Sequence, residues 1–163
     1  MTHTEIIQQA REQYGYTPGA IAAFVFGESP AWYWDLESIE DEIWTLNLIQ
    51  VMRLCSLIHV TPMALLPAEN DPASSPLPVP ADHDYPKRDF ADGIIPEIRS
   101  LIKDMALLSD ALGCYEEGLV KWLEDDCKFG LFPLTPLYDL CTYLEVNLKD
   151  VLAAYWIELG HEC

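Results

Sequence analysis

Four histidines and five cysteines are the residues of this 163-residue chain best suited to nucleophilic, general-base or metal-ligating chemistry. Their spacing assembles none of it. Cys55, Cys114, Cys127, Cys141 and Cys163 form no Cys-x-x-Cys pair, and no HExxH, GxSxG or phosphate-loop pattern occurs. No catalytic constellation, cofactor or metal site is therefore expected, and the chain reads as a non-enzyme. Cys55 and Cys141 lie on apolar stripes, where a thiol acts as a small hydrophobe. His59 sits where a helix turns, and His161-Glu162-Cys163 reads as a frayed tail. What remains is the chemistry of recognition. Trp32-Tyr33-Trp34 is followed by Asp35, and successive helical residues point about 100° apart, so three adjacent rings cannot all face a core. Tyr33 and Leu36 fit the buried positions, which turns Trp32 and Trp34 outward. Exposed Trp is a common interface anchor; the plain alternative is that another part of the chain covers both rings. Glu116-Glu117, Glu124-Asp125-Asp126 and Glu37 with Glu40-Asp41-Glu42 either solvate helix ends or engage a basic partner by steered, salt-sensitive association.

Charge decides which partners are plausible. There are 27 Asp and Glu against nine Lys and Arg, a net of −18. Nucleic-acid binding runs on Lys and Arg displacing counterions from phosphate, and anionic lipid is sought by the same side chains. DNA is thus disfavoured and a membrane surface is not expected. The charge is not a detachable tail. Residues 1–67 hold eight acids and two bases, residues 68–90 five and two, and residues 91–163 fourteen and five. Half the chain is apolar and 11% is aromatic, which excludes an acidic disordered chain. No stretch reaches the roughly 18 apolar residues of a membrane span. Met1-Thr2-His3-Thr4-Glu5 carries no basic or apolar signal-like run, so a cytoplasmic protein with reduced thiols is expected.

The elements that must position these residues read as helices. Thr17-Pro18, Ser29-Pro30 and Thr61-Pro62 repeat one start signal, a hydroxyl at the cap and Pro at the first helical position. The spacing predicts a helix before Gly15, one from Pro18 to Phe26 ending at Gly27, one from Pro30, one carrying Leu48, Val51, Met52, Cys55 and Ile58 on one face, and a short one after Thr61. Further on, Ile98 to Leu112 forms one helix or two broken near Asp104. A helix around Glu116–Asp126, one opened by Thr135-Pro136, and a last one after Asn147 ending at Gly160 follow. Between the halves, Pro67 to Pro86 holds six of the twelve prolines, which bars helix interior and favours an extended linker or an ordered arm. The expected division is 1–67, a linker over 68–90, and 91–163.

The two halves are copies. Leu54, Cys55, Val60, Thr61 and Leu66 align with Leu140, Cys141, Val146, Asn147 and Leu152, and Leu36-Glu37 pairs with Leu123-Glu124 one residue out of step. The unit resembles the Cro/repressor-type helix-turn-helix family, the Xre class. Arg11 to Thr17 is similar to that family's first helix and turn, and Ala20-Ile-Ala-Ala to its small second-helix centre. Gly27 fits the turn before the recognition helix, with one extra residue placed ahead of it. Leu36-Glu37 fits the Leu-Glu pair that closes that helix. The resemblance spans roughly residues 5–66 and 94–153 and implies an all-α fold of two tandem five-helix units. It departs from the family where DNA would be met. The first recognition helix, from Ser29, offers no Arg, Lys, Asn or Gln over Pro30–Asp35, the side chains that read bases. The second, Tyr115-Glu116-Glu117-Gly118-Leu119-Val120-Lys121, turns carboxylates toward phosphate.

The expected function is therefore a non-enzymatic acidic protein-binding module, such as an immunity protein, antitoxin or inhibitor of a basic partner. Its candidate contact residues are Trp32, Trp34, Asp35, Glu116, Glu117, Asp125 and Asp126. A DNA-binding regulator is the alternative. It requires a homodimer that gathers Arg11, Arg53, Lys87, Arg88, Lys121 and Lys128 on one face. A DNA mimic is the third reading.

Overall fold

The computed structural model describes residues 2–27, 30–39, 42–65 and 88–159. Among them the fold is all-α, with no strand beyond one isolated bridge between Asn47 and Pro133. The described residues divide into two compact units, one of residues 2–46 and 50–65, the other of residues 47–49 and 88–159. Most of the proline-rich linker, Ser29, and the tail from Gly160 lie outside the described residues.

In the first unit, α1 (His3–Gln13) starts at a capping box in which Thr2 and Glu5 satisfy each other's backbone N–H. Thr17 caps α2 (Pro18–Ile21) by accepting from the Ala20 N–H at 3.1 Å. The expected helix to Phe26 does not continue as α-helix. It widens into a π-helical turn over Ala22–Phe26 and ends at Gly27, which takes a left-handed φ of 65°. Then come α3 (Pro30–Ser38), a 3-10 turn over Glu42–Thr45 that buries Ile43 and Trp44, α4 (Leu48–Ile58) and α5 (Pro62–Leu65). All five stripe residues of α4, Leu48, Val51, Met52, Cys55 and Ile58, are buried. Burial pushes the Cys55 thiol up to about 12, which keeps it protonated and inert.

The second unit repeats this order: α6 (Ile94–Leu101), α7 (Met105–Leu112), α8 (Glu116–Trp122), α9 (Asp126–Phe129), α10 (Leu134–Leu144) and α11 (Leu148–Leu159). The chain does break at Asp104, whose carboxylate caps α7 at the Leu107 N–H. The expected helix to Asp126 stops at Trp122, and a separate short α9 begins after Asp125. The Thr135-Pro136 start is also corrected. α10 begins two residues earlier at Leu134, behind extended Pro133. Pro136 is tolerated there because the first helical N–H groups have no intrahelical acceptor. One thiol expectation fails as well: Cys55, Cys114 and Cys141 are free, but Cys127, exposed on α9, is disulfide-bonded.

The repeat is visible in the backbone at a spacing of 86 residues. α4 and α10 both have 11 residues and start at Leu48 and Leu134. His59 and Glu145, the residues that end them, are left-handed at φ 58° and 57°. The next N–H in each case returns to a cysteine carbonyl, Val60 to Cys55 at 3.1 Å and Val146 to Cys141 at 2.9 Å, a Schellman-type closure. Gly27 and Gly113 match likewise, at φ 65° and 66°. Packing repeats too: α2 lies against α3 as α7 lies against α8, and α1 against α5 as α6 against α11. The one extra residue ahead of Gly27 is absorbed by the π-turn. Nine residues separate Thr17 from Gly27 and eight separate Asp104 from Gly113, and a π-turn holds one residue more than an α-turn.

A left-handed non-glycine residue costs about 1–2 kcal/mol. Glu145 is exposed, so Glu145→Gly relieves that cost without removing a core contact. The variant is expected to be more stable by about 1 kcal/mol, read as a raised urea midpoint. A lowered midpoint would contradict the left-handed cap.

Candidate partner-binding surface

α8 is short because its sequence changes face quickly. Leu119 and Leu123 are fully buried, while Tyr115, Glu116, Glu117, Val120 and Lys121 are exposed. Tyr115 precedes the helix in an extended conformation and makes no side-chain cap. It is 88% exposed and Val120 46% exposed. Tyr115, Glu116, Glu117 and Val120 line one open recess. An aromatic ring, a branched aliphatic and two carboxylates therefore share a surface. The carboxylates occupy the first turn of α8, where the helix dipole favours negative charge. That position stabilises them without using a cation from the chain.

The first unit exposes the corresponding point. Tyr33 is fully buried and Leu119, 86 residues on, is too. Trp34 is half exposed and so is its counterpart Val120. The outward placement of Trp34 and Asp35 that helix geometry demands is thus observed. The side chain of Trp32 lies outside the described residues, as do Glu40 and Asp41 of the first acidic run.

Asp125 and Asp126 behave differently from the other candidates. The Asp125 carboxylate caps α9 by accepting from the Lys128 N–H at 2.8 Å. Lys128 Nζ lies 2.8 Å from Glu124 and 3.9 Å from Asp125, an exposed arrangement that contributes little to stability. This run does local structural work, and Asp126 stands on α9, outside the α8 recess.

Arg11 is not a surface base. It is buried, its Nε donates to Glu37 Oε1, its Nη2 to Glu37 Oε2 at 3.3 Å and its Nη1 to the Tyr16 carbonyl at 2.9 Å. Hydrogen bonding to Glu37 raises the guanidinium pKa further above its ordinary value. The neighbouring Tyr33 phenol is also pushed up, first by burial and then by the Glu37 carboxylate. The pair locks α1 onto α3 and so fixes the side of α3 that presents Trp34.

Sequence reasoning missed Tyr115 and Val120 as contact residues, and Phe24, which is 82% exposed on the π-turn. The available signal was a Tyr directly after a left-handed glycine turn, a position that packs under neither flanking helix. Among the described residues no group of three His, Cys, Asp or Glu side chains could hold a metal ion, and no helix is long and apolar enough to cross a membrane. Comparison with family models, curated proteins and solved structures finds no match.

Proposed function

We propose that the chain is a non-enzymatic, acidic protein-binding module built on two degenerate helix-turn-helix units, and that its partner is a basic protein. The observation that carries this reading is the exposed face of α8, where carboxylates adjoin uncovered Tyr115 and Val120. In the helix-turn-helix interpretation, α2–α3 and α7–α8 are the two motifs, each turning at a left-handed glycine. α3 and α8 are then the recognition helices. A DNA reader needs cations on that face. α8 instead puts Glu116 and Glu117 in its first turn and carries one Lys. The first motif presents Trp34 and Asp35. Exposed aromatics flanked by acids suit a protein surface rich in Lys and Arg, as in an immunity protein, antitoxin or inhibitor.

The DNA-regulator alternative loses part of its cation set, because Arg11 is buried on Glu37 and Lys128 is paired with Glu124. Lys87 lies outside the described residues.

The test has two arms. Fluorescence anisotropy with a labelled duplex at low salt is expected to show no binding at micromolar protein. A partner captured from the native host and purified is expected to be basic and to bind more weakly as salt rises. Its affinity should fall at least about tenfold on Trp34→Ala or on Glu116→Gln with Glu117→Gln, the size of a hot-spot loss. Tight duplex binding, or a partner affinity unmoved by salt and by both variants, overturns the reading.

A further inference from the structure

Resting on the protein-binding reading, we infer that the α8 face is a docking surface for an arginine-bearing peptide segment of the partner, with Tyr115 as the platform for the guanidinium. The occupant follows from the chemistry of the four lining residues. Tyr115 is 88% exposed and makes no capping bond, so its ring face is open to a ligand. A cation is drawn to such a face by the ring quadrupole, and a planar guanidinium also stacks on it. Glu116 and Glu117 follow immediately and are exposed. Carboxylates accept the parallel N–H pair of Arg in a geometry that an ammonium cannot match. Val120, 46% exposed, closes the recess and suits the methylene stem that Arg lays along apolar surface.

Charge balance favours a cation even at this helix start. The dipole contributes about half a positive charge at the N-terminus of a helix, against two full carboxylates. Lys121 is the only cation of α8, at its last turn. The matched point of the first unit exposes Trp34, not a charge, so an outward apolar residue at this place in the repeat occurs twice. Among the described residues the second unit adds two consecutive exposed carboxylates after its exposed ring, where Trp34 is followed by Asp35 alone.

The probes are two fluorescein-labelled, end-capped hexapeptides of equal charge, hexa-arginine and hexa-lysine, titrated against the full chain at physiological salt. Hexa-arginine is expected to bind at least about fivefold more tightly than hexa-lysine. Tyr115→Ala leaves net charge unchanged and is expected to erase that preference. Tyr115→Phe keeps the ring and should keep the preference. Glu116→Gln with Glu117→Gln should weaken both peptides. Since all three side chains are exposed, the variants should retain the parent helical circular dichroism. Equal affinity for the two peptides, or a preference that survives Tyr115→Ala, overturns the inference, because attraction by net charge alone predicts both outcomes. If hexa-lysine matches hexa-arginine while the purified basic partner still binds in a salt-sensitive way, the docking inference falls and the protein-binding reading stands. If neither peptide binds and the partner is not basic, both fall.

Discussion

Glu37→Gln is expected to cost about 3–5 kcal/mol, the loss seen when one member of a buried ion pair is neutralised and the other is left behind. The side chains of Arg11 and Glu37 are 10% and 4% exposed. Gln fills nearly the same space as Glu, so the variant removes charge without opening a cavity. It leaves a guanidinium that cannot discharge, because its pKa already lies above any accessible pH and hydrogen bonding to Glu37 raises it further. At an m-value of about 2 kcal/mol/M, the urea midpoint should fall by about 2 M. Hydrogen exchange should show the first loss of protection in α1 and α3, the helices the pair joins. The paired replacement Arg11→Met with Glu37→Leu is expected to recover most of the loss, since apolar side chains of similar volume substitute well for buried ions. A Glu37→Gln loss below about 1 kcal/mol would mean that water reaches the pair in solution. The consequence for binding is separate. α3 is positioned by this contact, so Glu37→Gln should weaken partner binding through Trp34 even under conditions where the unit remains folded.

Among the described residues the second unit shows no equivalent pair, and the difference is legible in the sequence only after the fold is known. Leu36-Glu37 aligns with Leu123-Glu124. Leu123 is buried as Leu36 is, yet Glu124 is exposed and turns to Lys128. The same two letters mean a buried lock in one copy and a surface residue in the other. The first helix of each unit supplies an Arg, but Arg11 is buried against Glu37 whereas Arg99 of α6 is exposed, so which applies depends on where that helix presents its Arg.

Other features divide in the same way. The α4 stripe was readable because five apolar residues at helical spacing admit one buried face, and all five are buried. The outward Trp34 was readable from the 100° step. The repeat was readable from matched apolar residues, and the one extra residue before Gly27 was countable. Where that residue goes was not countable, because a π-turn and a longer loop have the same sequence length. The left-handed ends at His59 and Glu145 gave no glycine to mark them. Backbone closure onto Cys55 and Cys141 imposes them, and this depends on the whole α4–α5 and α10–α11 corners. The 3-10 turn at Glu42–Thr45 and the four-residue α9 are too short for periodicity to register. Exposure of Tyr115 is a non-local property. It depends on which distant segments cover the start of α8, and no spacing rule reports that.

Phe132→Ala should be the most damaging single change in the second unit, at about 3–5 kcal/mol. Phe132 is fully buried. Its ring lies 4.5 Å from that of Trp122, at the end of α8, and 5.7 Å edge-on from that of Phe129 in α9. Phe129 continues the cluster to Tyr155 of α11 at 6.0 Å. Truncation loses the transfer energy of one ring, two aromatic contacts worth about 0.5–1.5 kcal/mol each, and leaves a cavity. The surrounding helices cannot close that cavity, because the Phe132 backbone is fixed at both polar groups. Its N–H donates to the Phe129 carbonyl at 3.0 Å and its carbonyl accepts from the Leu48 N–H at 3.1 Å. Phe132→Leu keeps most of the apolar volume but gives up the ring contacts, and should cost about 1–3 kcal/mol. Trp122 offers a readout as the difference in emission with and without Trp122→Phe, which isolates it from the other four tryptophans. It packs on Phe132, so its emission should shift to the red in the Ala variant before global unfolding. It also closes α8, so the loosened cluster should weaken binding at Tyr115 and Val120 without any contact residue having changed. A loss under about 1 kcal/mol with unshifted Trp122 emission would show that this cluster does not hold α8 in place. The support for the α8 face would then have to come from Leu119 and Leu123, where Leu119→Ala tests it in the same assay.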